Sequence, residues 1–234
     1  MKIYNSRALT LTGLALISTV GGVALAAPTQ PDTTPRPMTR VYQSPVPKSL
    51  FNVSEDSEDL YDQAYAANWN EASTALAKIS GDNATLRKTE PSLGKRSAGV
   101  ATLAVAVKRD IAAKDRPAAL RDINQMTRLT IEMGAAYAAP IPVEVSLLDY
   151  YGRELQVWAI AGNKAQLQST LSALQTTWQR VRPQVVARPN GAQAARSFDA
   201  MVSRAKSAHS PAGVSQVAAP LLEEVDRLEN VFGA

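Results

Sequence analysis

Residues able to do chemistry concentrate in one short stretch, Glu144, Asp149, Tyr150, Tyr151, Gly152, Arg153 and Glu154, with Trp158 one turn further on. Carboxylates that face inward in a helical bundle can hold a metal ion, usually together with Glu-x-x-His pairs from facing helices. That second ingredient is missing, because His209 is the one histidine and the chain has no cysteine. A lone imidazole without thiolates builds no zinc or copper centre and has no second imidazole with which to share acid–base work. No metal and no cofactor are therefore expected. Asp149 and Arg153 stand four apart, and the simpler expectation is one ion pair on a solvated helix face, worth a few tenths of a kcal/mol. The alternative is a hard-cation or small-ligand site that uses Asp149 or Glu154, with Tyr151, Gly152, Arg153 and Trp158 around it. Gly152 stands out there. In mid-helix it is worse than alanine by up to about 1 kcal/mol, which points to close approach of another helix or of a ligand.

Two other groups compete for attention. Trp69, Trp158 and Trp178, with Tyr61, Tyr65, Tyr150 and Tyr151, have the types to line an aromatic pocket, but at helical spacing they are expected in the core. Arg180 and Arg182 close a helix, where cations favour the negative end of the dipole, and with Arg188 they form a candidate patch for anions or lipid headgroups. A nucleophile elbow, a phosphate-cradling glycine loop and a dinucleotide fingerprint are all absent from the sequence, so catalysis is not expected.

The elements that must position these residues are helices. Between Leu147 and Pro183, Leu148, Tyr151, Leu155 and Trp158 form one apolar stripe, and Leu167, Leu171, Leu174, Trp178 and Val181 form a second. Both follow the three-and-four spacing of a 3.6-residue helix. Ala161-Gly162-Asn163 between them supplies a residue tolerant of positive φ and then a capping side chain. The pattern recurs: Asn68, Asp115, Asn163 and Ser210 are good N-caps spaced by about 47 residues, a length suited to one helix pair in an array. The expected fold is all-α, four stacked antiparallel hairpins over residues 58–234, arranged as a bundle or a short α-solenoid-like array. Residues 81–96 are its expected mobile connection, and Pro183 the expected end of the third pair.

Ahead of the helices, Lys2 and Arg7 precede an apolar run from Ala8 to Val20 and small residues to Ala26, the order of a secretory signal over 1–26. Six prolines from Pro28 to Pro47 make 27–57 a stiff, solvated linker, with the first helix expected to start at Ser54-Glu55-Asp56. The formal charge of +4 is too small for a dedicated nucleic-acid binder. The expectation is a secreted, periplasmic, non-catalytic helical protein that binds another envelope protein in a groove between helices; a small-ligand or metal-binding bundle is the alternative. Membrane contact is expected only through an uncleaved signal or the weak basic patch.

Overall fold

A computed structural model describes residues 45–208 and 210–233; the expected signal, the Pro-rich stretch up to residue 44, and His209 lie outside it. Eight α-helices follow in order: α1 (Lys48–Tyr65), α2 (Trp69–Thr89), α3 (Gly94–Ala113), α4 (Arg116–Gly134), α5 (Val143–Ile160), α6 (Lys164–Val186), α7 (Gly191–Ser207) and α8 (Pro211–Phe232). A 3-10 turn, Pro91–Leu93, joins α2 to α3. Among the described residues there is no strand.

Side-chain caps place three of the eight helix starts. Asp115, Asn163 and Ser210 each accept from the backbone N–H three residues on, at 3.2, 3.1 and 3.1 Å, so three exposed donors are satisfied by their caps. Asn68 does not cap; its amide donates instead to Gln63. Three boundaries differ from the sequence expectation. The first helix starts at Lys48, inside the expected linker, because Pro47 ends the extended stretch and Leu50 and Val53 already belong to the apolar stripe. Residues 81–89 continue α2, since Asn83 and Leu86 extend its buried face past Gly81. α6 runs through Pro183 to Val186, because Val185 still has core to fill.

Packing divides the helices into two rings. α1 lies against α2 and α4, and α3 against the same two; α5 lies against α6 and α8, and α7 against those two. These closing contacts make each half a four-helix bundle, where a solenoid would stack its pairs in succession. Leu60, Ile79, Ile123 and Met126 fill the first core, and Leu148, Leu174, Phe198 and Leu221 the second. α4 packs on α5 to join the halves, and Trp158 touches both cores.

The two halves share one register. Lys48 and Val143, Trp69 and Lys164, and Arg116 and Pro211, which open corresponding helices, are each 95 residues apart. Buried positions obey the same offset: Leu50, Val53, Leu60, Ala72, Leu76 and Ile79 answer to Val145, Leu148, Leu155, Leu167, Leu171 and Leu174. Pro47 and Pro142 precede α1 and α5 with the same dihedrals, φ −58° and ψ 138°. The repeating unit is thus two hairpins, and the spacing of about 47 residues between caps is half of it.

Two glycine-related positions follow from that register. Gly152 sits where α8 crosses closely: a Cβ there would stand 2.6 Å from Leu222 Cδ2 and 3.1 Å from Leu221 Cδ2. A neighbouring helix therefore accounts for it. Gly162 turns the third hairpin with φ 66°, while its counterpart Ala67 turns the first with φ 61°. Alanine is strained there and glycine is not. Ala67→Gly should accordingly raise the unfolding free energy by about 0.5–1 kcal/mol, and Gly162→Ala lower it by a similar amount, as read from urea titrations.

Candidate functional site

Most helices here bury one stripe, but α5 buries two. Its second face carries Asp149, Tyr150, Arg153 and Val157 toward the first half. Arg153, whose side chain is 8% exposed, donates from Nε to Asp149 at 2.8 Å and from Nη1 to Asp62 of α1 at 2.9 Å, with Glu58 of α1 3.6 Å away. Its guanidinium lies over the Tyr61 ring, 4.9 Å from the centroid. The Tyr61 hydroxyl donates to the Arg153 carbonyl and to Gln156 Oε1, both at 3.1 Å. The expected solvated ion pair is therefore a buried one, because α1 lies across the face that α5 alone would leave open. Glu58 and Arg153 occupy equivalent places in the 95-residue register, as do Tyr61 and Gln156, and each meets its own counterpart. Such self-meeting pairs mark an approximate two-fold relation between the halves.

Charge in this junction is unbalanced. Burial works against the Arg153 cation, yet Asp149, Asp62 and Glu58 together keep it more firmly protonated than usual. Carboxylates outnumber it: Glu55, Glu58 and Asp62 come from α1, Asp149 from α5, and Asp226 and Glu229 from α8. Burial and then repulsion from Asp149 push Glu58 up to about 8, against the pull of Arg153. Burial, then Asp149 and Asp226, push Glu229 up to about 7. Among the described residues, no group of three or more His, Asp or Glu side chains is arranged to hold a metal ion.

The remaining sequence candidates separate. Glu154 faces away from Arg153, accepting from Tyr150 Oη at 3.0 Å and Thr170 Oγ1 at 3.2 Å. Gln125 of α4 donates to the same Tyr150 oxygen at 3.1 Å, so this network ties α4, α5 and α6 together. Tyr151 packs edge-on against Tyr150, with centroids 5.2 Å apart. Trp158 is wedged between the cores, with its Nε1 buried and unpartnered. Gly152 faces α8. The basic patch is divided too. Arg182 makes a two-pronged pair with Asp199, at 2.8 Å for the closest contact, and holds that carboxyl below its usual range. Arg188 lies over the Phe232 ring, 5.1 Å away, and Arg180 stays exposed.

A site that sequence reading passed over lies between α2 and α3. It is a groove of about 340 Å³, lined by Leu76, Ile79 and Val100, by the small Ala101 and Ala104, and by Asn83. Lys108 stands at its margin. Asn83 is 3% exposed; its Nδ2 donates to the Ser97 carbonyl at 2.9 Å, which fixes the amide orientation, and its Oδ1 has no partner. A buried acceptor left without a donor costs about 1–3 kcal/mol. A wider cleft of about 690 Å³ at the start of α7 and end of α8 is lined by no such group. The missed signal was Asn83 on the inward stripe of α2, within a segment whose polarity reads as a loop.

No family model matches this chain, and neither the curated proteins nor the solved structures compared with it give a match.

The unequal charge at the junction has a pH consequence. Glu58 and Glu229 bind protons more tightly folded than unfolded, so between about pH 4.5 and 8 the folded state holds the extra protons. Their stabilising contribution is complete below the unfolded carboxyl range and is lost as pH rises through 7 and 8. Melting temperature should therefore fall from pH 5 to pH 8.5, and Glu58→Gln with Glu229→Gln should flatten that slope, as followed by circular dichroism.

Proposed function

We propose that this is a non-catalytic, secreted binding protein of the cell envelope whose ligand is a small molecule held in the α2–α3 groove. The observation that carries this reading is Asn83: a buried amide, oriented by Ser97, whose unpartnered acceptor belongs to a side chain lining a largely apolar groove. Ligand sites commonly pair an apolar lining with a few placed polar groups in roughly 300–1,000 Å³, and about 340 Å³ suits a small ligand.

Of the two expected partners, a protein or a small molecule, the groove favours the second. Among the described residues, the large apolar side chains left exposed, Phe51, Val105, Ile160 and Val186, sit on four different helices, so no single helix presents an apolar strip to a partner. Secretion is supported by the order of basic, apolar and small residues before Ala26, and the absence of a catalytic constellation in the sequence supports a binding role. No helix among the described residues is long and apolar enough to cross a membrane.

Thermal shift with phenol, naphthalene and cyclohexanol tests the groove directly. A probe that binds only the folded state adds about 2.7 kcal/mol at 100 times its dissociation constant. At least one should raise the melting temperature of the unaltered protein and leave Ala101→Phe, which fills the groove, unmoved. If none of the three shifts the unaltered protein, or if Ala101→Phe responds equally, the groove is not the site.

A further inference from the structure

What holds the α2–α3 groove open is the size of four side chains. Adding 95 takes Ser80, Asn83, Ala101 and Ala104 to Gln175, Trp178, Arg196 and Asp199, each of them larger. The floor is unchanged in character, since Leu76 and Ile79 answer to Leu171 and Leu174, all buried. One lining position runs the other way: Lys108 answers to Ser203, so a cation stands at this margin in the first half where the second has a hydroxyl.

The groups able to bind a ligand's polar atoms sit at the two ends of the groove. Asn83 is held by the Ser97 carbonyl near the start of α3. From there α3 runs back along α2, so Lys108, eleven residues beyond Ser97, comes level with Ser73. Ten residues of α2 separate Ser73 from Asn83, which at 1.5 Å of rise per residue makes the groove about 15 Å long. Between its ends lie Leu76, Ile79, Val100 and Ala104, while the Ser80 hydroxyl at the rim donates to the Leu76 carbonyl of its own helix. Lys108 is the one charged side chain in the lining, and among the described residues it pairs with no carboxylate.

Resting on the small-ligand reading of the groove, we propose that its ligand is an extended ω-hydroxy carboxylic acid of medium chain length. The carboxylate meets the Lys108 ammonium, the methylene chain lies along Leu76, Ile79 and Val100, and the terminal hydroxyl donates to Asn83 Oδ1. Each part of the groove selects one part of that molecule. Lys108 is exposed and Asn83 buried, which leaves the charge in water and puts the neutral end inside. The apolar middle selects against a peptide, whose N–H and C=O groups would lose water there without gaining partners. A chain ending in a methyl group would leave Asn83 Oδ1 unpaired, so the acceptor favours an end that carries a donor.

Isothermal titration of the full-length protein compares ω-hydroxydodecanoate with dodecanoate, which lacks the donor, and with dodecanediol hydroxylated at both ends, which lacks the charge. The hydroxy acid should bind, dodecanoate about tenfold more weakly for want of one hydrogen bond, and the diol about threefold more weakly for want of a partly exposed ion pair. Lys108→Met should erase the difference between hydroxy acid and diol and keep the difference from dodecanoate; Ala101→Phe should abolish binding of all three. No binding of the hydroxy acid, equal affinity for it and either analogue, or a preference over the diol that survives Lys108→Met would overturn this ligand class. A response to phenol, naphthalene or cyclohexanol that Ala101→Phe removes would then leave the groove reading standing. Binding of none of the six compounds would overturn both.

Discussion

The whole arrangement turns on α5 having two buried faces and a permanent charge at the centre of one of them. Arg153 cannot lose its proton in a protein, so the junction must supply carboxylates or not form. It supplies Asp149 from the same helix and Asp62 and Glu58 from α1, and in doing so fixes α1 against α5 at a single register. Replacing the charges by apolar residues of similar volume is often neutral or favourable in buried sites, so the pair is better read as a register device than as a source of net stability. Because Glu58 and Arg153 are counterparts, the two copies had to differ here, one acidic and one basic.

A second divergence has the opposite character. At the α6–α7 face the chain spends a tryptophan, a phenylalanine and an Asp–Arg pair on closing the bundle. At the α2–α3 face, small side chains and one amide leave a hollow of about 340 Å³. Truncating a buried Trp or Phe typically loses about 3–5 kcal/mol, so a half that lacks the ring forgoes packing on that scale. The unpaired Asn83 acceptor adds to the deficit. The open groove with its buried acceptor, and not the more polar junction, carries the functional reading.

Legibility in the sequence followed distance along the chain. The hairpin turns at Gly162-Asn163 and the caps at Asp115 and Ser210 were readable because their chemistry lies within four residues. The Asp149–Arg153 pair was readable for the same reason; its burial was not, because Asp62 is 91 residues away. Likewise the Arg180, Arg182 and Arg188 patch looked cationic until Asp199, 17 residues on, returned to pair with Arg182. The sequence pattern starts α1 too late because six prolines outweigh Leu50 and Val53, which begin its stripe. Asn83 escaped notice because an amide in a polar segment resembles a loop residue, and only alignment with Trp178 exposes it as an inward position. That alignment needed the 95-residue period, where cap spacing gave half of it.

The most direct measurement is a crystal structure of the protein grown with whichever of phenol, naphthalene and cyclohexanol most raises its melting temperature. The account predicts that molecule between α2 and α3, against Leu76 and Val100 and beside Asn83. A groove closed by movement of α3 onto α2, or a ring bound elsewhere with Asn83 Oδ1 still unpartnered, would contradict it.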